Sequence, residues 1–326
     1  MVNGDFASAK FTSFDKIPII DVSEIHTEAG FEKIAIDLVQ AARSIGFFYI
    51  EGHGIQSELI SRAFVASKMF FELSEGEKSS IAVDLNQRGW MGQGMTQLEG
   101  AKTHDLKEVF FWGWDLGADD QDVVAGVPMV FPNQWPDKVA PFLRKDILPY
   151  YNAVIDLSRF VLSALAFGLG KSKDFFEAAY KKPLGRGQLV YYPPMKFEDL
   201  DEQRFGASPH TDFGVLTILL QDMQGGLQVL NKNDDWVEAP PIANSFVCNI
   251  GDLLERWTNG DLVSTKHRVI NRNKTARYSI PIFCDPASQT IIDPNDFSQS
   301  PMKYEKITAG DHILNRNRKN FKQYKK

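Results

Sequence analysis

After Gly187 the chain changes grammar. Short β-branched and aromatic runs recur at residues 188–192, 214–220, 227–230, 236–239, 246–250, 264–270, 276–283 and 290–292, with Gly, Pro, Asn and Asp clusters between them. Eight runs separated by turn residues point to a sandwich or jelly roll rather than alternating βαβ units. Whatever precedes such a core must pack around it.

The first half reads as helices around a few strands. Phe31, Ile34, Ala35, Leu38, Ala42 and Ile45 repeat at the spacing of one helix face, which Gly46 ends. Phe47-Phe48-Tyr49-Ile50, closed by Gly52-His53-Gly54, reads as a buried strand and a tight turn. A second helix is expected over residues 57–73, and Ser74-Glu75-Gly76-Glu77 fits a capping box that opens a short one. A longer helical stretch follows Pro136, interrupted by Pro141 and Pro149, and stops at Gly168-Leu169-Gly170. No internal repeat or Gly/Ser-rich linker divides the chain. The expectation is therefore one domain over residues 1–326, mainly β with flanking helices. In it a helix-rich part, about 1–185, packs outside a jelly-roll core at about 186–295, and residues 296–326 form a C-terminal helical tail.

Composition narrows the partners. With 36 Lys and Arg against 42 Asp and Glu the chain carries a net charge of −6, which argues against nucleic acid. Residues 1–16 lack the apolar core of a secretory leader and the Arg-rich pattern of a transit peptide. The longest apolar stretch, residues 160–169, falls below the ~18 residues that span a bilayer. The chain thus reads as soluble and cytoplasmic, with no membrane partner. Its two cysteines, Cys248 and Cys284, read as buried, reduced thiols. Six basic residues crowd residues 316–326, as on a helix whose cations face its negative dipole end.

The chemistry sits in the β half. Residues i and i+2 of an extended segment share a side, so His210 and Asp212 in Ser208-Pro209-His210-Thr211-Asp212 can aim at one point. With His267, far along the chain, they would complete a two-histidine, one-carboxylate face that leaves metal positions open, the pattern of non-haem Fe(II) oxygenases. Ten residues on, alternation in Arg277-Tyr278-Ser279 puts Arg277 and Ser279 on one strand face, a guanidinium and a hydroxyl suited to a carboxylate. Among the other histidines, His53 reads as structural in its turn, and His26, His104 and His312 as surface or capping residues.

Together these residues resemble the iron and 2-oxoglutarate-dependent dioxygenases of the isopenicillin N synthase-like group, over almost the whole chain. Ile17-Pro18-Ile19-Ile20-Asp21 resembles that group's opening strand, and Gly46-Phe47-Phe48-Tyr49-Ile50 its second signature. Asp105-Leu106-Lys107-Glu108 resembles a central segment, and Gly251-Asp252-Leu253-Leu254 the run before the second histidine. The resemblance implies a double-stranded β-helix, with His210, Asp212 and His267 as both iron ligands and catalytic residues. Arg277, Ser279 and Tyr192 would hold 2-oxoglutarate. Val190 stands where plant relatives often carry Asn, so that polar contact is absent or replaced. Arg88 matches a loop bordering the substrate pocket of relatives, where it would either hold a substrate carboxylate or be an ordinary solvated arginine, and Trp90, Phe110, Trp112 and Phe283 would either line the pocket or belong to the core. The implied reaction uses Fe(II), O2 and 2-oxoglutarate to hydroxylate, desaturate or oxidatively cyclise a small molecule, a specialised metabolite of acidic or amino-acid-like type, with release of succinate and CO2. An iron oxidase that does not use 2-oxoglutarate and a non-catalytic ligand-binding module are the alternatives. Oligomeric state is left open, a monomer being compatible with all of this.

Overall fold

Strand alternation sorts the apolar side chains into two cores, and a sheet lies between them. The computed structural model describes residue 9 and residues 17–95, 103–196, 198–199, 202 and 204–320. The leader expectation for residues 1–16, residue 9 apart, and the basic tail beyond Asn320 fall outside these residues. The major sheet holds eight strands: β1 (Ile19–Asp21), β2 (Phe47–Glu51), β3 (Gly89–Met91), β4 (Glu108–Trp112), β5 (Arg186–Tyr192), β7 (Leu216–Gln221), β10 (Phe246–Ile250) and β12 (Arg277–Cys284). Their spatial order is β1-β2-β10-β7-β12-β5-β4-β3. The minor sheet is β6 (Ala207–His210), β11 (His267–Val269), β8 (Leu227–Leu230) and β9 (Trp236–Glu238), in that order. A small hairpin pairs β13 (Ile291–Ile292) with β14 (Ile307–Thr308).

One set of alternating residues (Phe48 and Ile50 of β2, Phe110 and Trp112 of β4) meets the helices α1 (Glu28–Ser44), α2 (Ser57–Phe71) and α5 (Pro141–Gly168). The other set, Phe47, Tyr49, Val109 and Phe111, faces Ala207, Val229 and Val269 of the minor sheet. The two sheets thus enclose a jelly-roll interior with a helical layer on one outer side. Three short helices, α3 (Glu75–Ser79), α4 (Gln121–Val124) and α6 (Asp252–Trp257), the C-terminal α7 (Ala309–Asn320) and two 3-10 turns (Ala178–Tyr180 and Pro294–Asp296) complete the described elements. None of the described helices is long and apolar enough to cross a membrane. The expected capping box is present at Ser74 and Glu77.

Three expectations are corrected. The N-terminal part does not only pack outside the core, since β1 to β4 supply half of the major sheet. The strand at Ala207–His210 went unread because Pro209 breaks its apolar pattern. Pro141 and Pro149 do not interrupt the long helix. Pro141 occupies its first turn, where no N–H is needed, and Pro149 lies on its solvent side, where one lost backbone bond is tolerated.

Candidate functional site

His210 ends β6 and His267 begins β11, and the two are direct cross-strand partners. Their ring centroids lie 4.3 Å apart. Asp212 follows in the loop after β6, where the start of α6 clamps the backbone. Asp252 N–H donates to the Asp212 carbonyl at 2.7 Å, and Leu253 N–H to Gly214 at 2.9 Å. A side chain at Gly251 would put its Cβ 2.2 Å from the Gly214 oxygen, so only glycine permits that approach. Asp212 Oδ1 lies 3.9 Å from His210 Nε2 and 3.6 Å from His267 Nε2. These gaps are too long for hydrogen bonds, yet all three ligand atoms lie within 4.8 Å of one another.

Each donor is aimed by a second contact. His210 Nδ1 meets the Ser208 carbonyl at 2.7 Å, and His267 Nδ1 the Thr265 carbonyl at 3.2 Å. Both contacts fix the N–H on Nδ1 and leave the Nε2 lone pair toward Asp212. Asp212 Oδ2 accepts from Thr217 Oγ1 at 2.6 Å and Asn249 Nδ2 at 2.8 Å, so Oδ1 is left to the centre. Burial, then the His267 charge, pushes the His210 imidazole down to about 4, so it is neutral near pH 7. Burial would raise the Asp212 carboxyl, but the two imidazoles and its two hydrogen bonds outweigh this and lower it. A neutral His210 imidazole and an ionised Asp212 carboxylate are donors that an open-sided Fe(II) site needs.

A chamber runs from this triad to Arg277 and Ser279, the two inward residues at the start of β12. Tyr278 between them faces the other way, against Tyr191 and Phe71. Arg277 is fully buried. Its Nε donates to the Gly225 carbonyl at 2.8 Å and its Nη2 to Gln221 at 3.0 Å, and its ring neighbour Tyr192 lies 4.8 Å away. Arg277 Nη1 has no protein partner. A buried guanidinium N–H without an acceptor fits an anionic ligand in the chamber, and a dicarboxylate reaching from Arg277 to the triad would supply it. Val190 pairs with Ser279 on the chamber wall and brings no polar atom.

The expected substrate residues separate. Arg88 is buried, and its Nη1 donates to the carbonyls of Asn86 and Gln87. Its neighbour Gln87, not Arg88 itself, joins the wall of a second chamber that shares His210 and Asp212 with the first. Trp90 is tied by its Nε1 to Glu108 at 3.0 Å, while Phe110 and Trp112 pack with Trp135 in the helical core. Only Phe283 of these lines the cavity, where it borders both chambers. The misplacement is one of parity. Lys107, Val109 and Phe111 share the inward face, a signal that alternation carried in the sequence. Asn317 on α7 also joins the wall, and nothing local marks it. His312 is buried rather than a surface residue, because α7 docks on the loop that carries Asp212.

Comparison with known proteins accords with this geometry. A family model described as non-haem dioxygenase in morphine synthesis N-terminal matches residues 17–138, and the 2OG-Fe(II) oxygenase superfamily model matches residues 187–286. A probable iron/ascorbate oxidoreductase of Dictyostelium discoideum is 36% identical over 84% of this chain and 82% of its own length. The 2-oxoglutarate-Fe(II) type oxidoreductase hxnY of Emericella nidulans is 35% identical over 91% of this chain and 88% of its own. Among solved structures, a full-length Neurospora crassa protein in complex with alpha-KG and thymine superimposes with a TM-score of 0.81 at 27% identity, covering 95% of this chain and 98% of that one.

Proposed function

Since the chain belongs to the 2OG-Fe(II) oxygenase superfamily and is a 2-oxoglutarate-dependent dioxygenase, we propose that His210, Asp212 and His267 hold its Fe(II) and that Arg277, Ser279 and Tyr192 hold the cosubstrate. The observation that carries this reading is the shared chamber, with three aimed donors at one end and an unpartnered guanidinium N–H at the other. Bound Fe(II), with 2-oxoglutarate and O2, supplies the oxidising power, and the cosubstrate leaves as succinate and CO2.

The protein's own part is to bind, orient and exclude water. Arg277 and Ser279 present a guanidinium and a hydroxyl to the distal carboxylate. Thr217 and Asn249 hold the Asp212 carboxylate in one rotamer. Phe283 borders both the cosubstrate chamber and the second one, where a substrate would lie beside the iron that the three residues would hold. The substrate is a small molecule, a size that the thymine complex of the Neurospora protein supports. The narrowing to an acidic or amino-acid-like compound rested on Arg88, and its burial away from the cavity removes that basis. Relatives named for 2-oxoglutarate use support this activity and not the oxidase that dispenses with it. Residues 1–326 are taken as one dioxygenase domain, a reading supported by the four N-terminal strands within the major sheet.

Anaerobic titration tests the proposal. Fe(II) and 2-oxoglutarate together should give a visible charge-transfer band that Asp212→Ala abolishes. A band of full strength in that variant would mean that the ligand set is wrong.

A further inference from the structure

Two chambers meet at the triad, with Lys107, Gln188, His210, Asp212 and Phe283 in both walls. If the chamber of Arg277 takes 2-oxoglutarate, as proposed above, the other is the substrate's place. Its wall contains a buried acceptor with nothing to accept. Asn317 is fully buried; its Nδ2 donates to Gln87 Oε1 at 3.1 Å and lies 3.7 Å from Met129 Sδ, while its Oδ1 has no partner. Reversing the amide would set two acceptor oxygens against each other at the Gln87 contact, so the N–H stays there and the oxygen is the orphaned atom. Such a group is costly unless a ligand donor completes it.

Asn317 is also held in place relative to the metal ligands. Its neighbour Arg316 donates to Thr211 at 3.3 Å, pairs with Asp252 at 3.0 Å and lies 4.6 Å over the Phe213 ring, gripping both residues that flank Asp212. Elsewhere in the wall, Lys107 offers an ammonium that is 13% exposed. Its nearest carboxylate is Asp105 at 3.0 Å, whose other oxygen serves Ser208. Burial opposes the Lys107 charge, but Asp105 with Tyr192 and Asp212 together outweigh it and keep the ammonium protonated, with further N–H groups to give. Phe111, Phe213 and Phe283 add aromatic lining.

We propose that Asn317 and Lys107 select the substrate: a flat small molecule with an N–H or O–H donor for Asn317 Oδ1 and a carbonyl or carboxylate acceptor for Lys107. A site built around a hydrogen bond rejects the analogue that lacks it.

The test is calorimetry on the anaerobic Fe(II) and 2-oxoglutarate-loaded protein with two matched pairs, thymine against 1,3-dimethylthymine and 4-hydroxybenzoate against 4-methoxybenzoate. In at least one pair the donor-bearing member should bind about tenfold tighter or more. Asn317→Leu should bring that ratio to within about twofold, while Asn317→Asp, which keeps an acceptor, retains it. Lys107→Met should weaken both members about tenfold, and by more than it weakens 2-oxoglutarate. The proposal is overturned by no donor preference in either pair of the unmodified protein, by a preference that survives Asn317→Leu, or by Lys107→Met weakening 2-oxoglutarate as much as the probes. The donor ratio of the unmodified protein stands as a test even if a variant fails to fold. Failure of that protein to bind 2-oxoglutarate at all would instead sink the parent reading.

Discussion

Asp212 divides its two oxygens between two tasks, one turned to the centre and one held by Thr217 and Asn249. Removing an orienting partner should loosen the metal without removing a ligand. Asn249→Leu is expected to weaken Fe(II) binding about 10- to 100-fold, read by metal titration. Arg277 works at the opposite end of the chamber. Arg277→Leu removes a buried, charge-assisted clamp and should weaken 2-oxoglutarate about 100-fold, with Fe(II) affinity unchanged. Equal loss of both affinities would mean that the substitution had disrupted the interior rather than the clamp. Both residues stood in plain view of sequence reasoning or next to it. Arg277 follows from alternation, whereas Asn249 sits in a hydrophobic strand whose register with Thr217 only the sheet reveals.

At the scale of elements, α7 is the piece whose role the sequence concealed. His312 on its inner side is pushed down to about 4 from the ordinary 6.5, by burial first and then by the Arg256 and Arg316 charges. The unfolded chain therefore takes up a proton near pH 6.5 that the folded chain refuses until about pH 4. This contribution to stability is complete above the higher value and is lost as pH falls toward the lower, by up to about 3 kcal/mol. Thermal unfolding midpoints should drop over that interval, and drop less in His312→Gln. An identical slope in the variant would assign the acid sensitivity elsewhere. In α5, Pro149 leaves the Lys145 carbonyl without its helical donor. Pro149→Ala should raise the unfolding free energy by about 1–3 kcal/mol, measured in denaturant, because the exposed site has nothing to repack.

Over the whole molecule, the major sheet interleaves the two halves of the chain. β2 pairs with β10, and β4 with β5, so neither half can close its hydrogen bonds alone. The helices α1, α2 and α5 then cover the outer face of strands drawn from both halves. A single cooperative calorimetric transition is expected, and a fragment of residues 186–326 should not fold by itself. Two resolved transitions, or a stable fragment, would contradict the one-domain reading.

The sequence by itself determined what its periodicities and its residue chemistry encode. Alternating runs marked the jelly-roll strands, and spacing of two along a strand put Arg277 and Ser279 on one face before any packing occurs, whereas Asp212 joins the two histidines through the loop after β6 that α6 holds. On the same alternation Phe110 falls in the helix-side core and Phe111 on the cavity side. Only the tertiary structure decided that Arg88 turns away from the cavity, that Lys107 borders both chambers and that Asn317 reaches the wall from the C-terminal helix. Those facts depend on register between distant strands and on how a helix docks, and such long-range packing leaves no local pattern in the residues that it brings together.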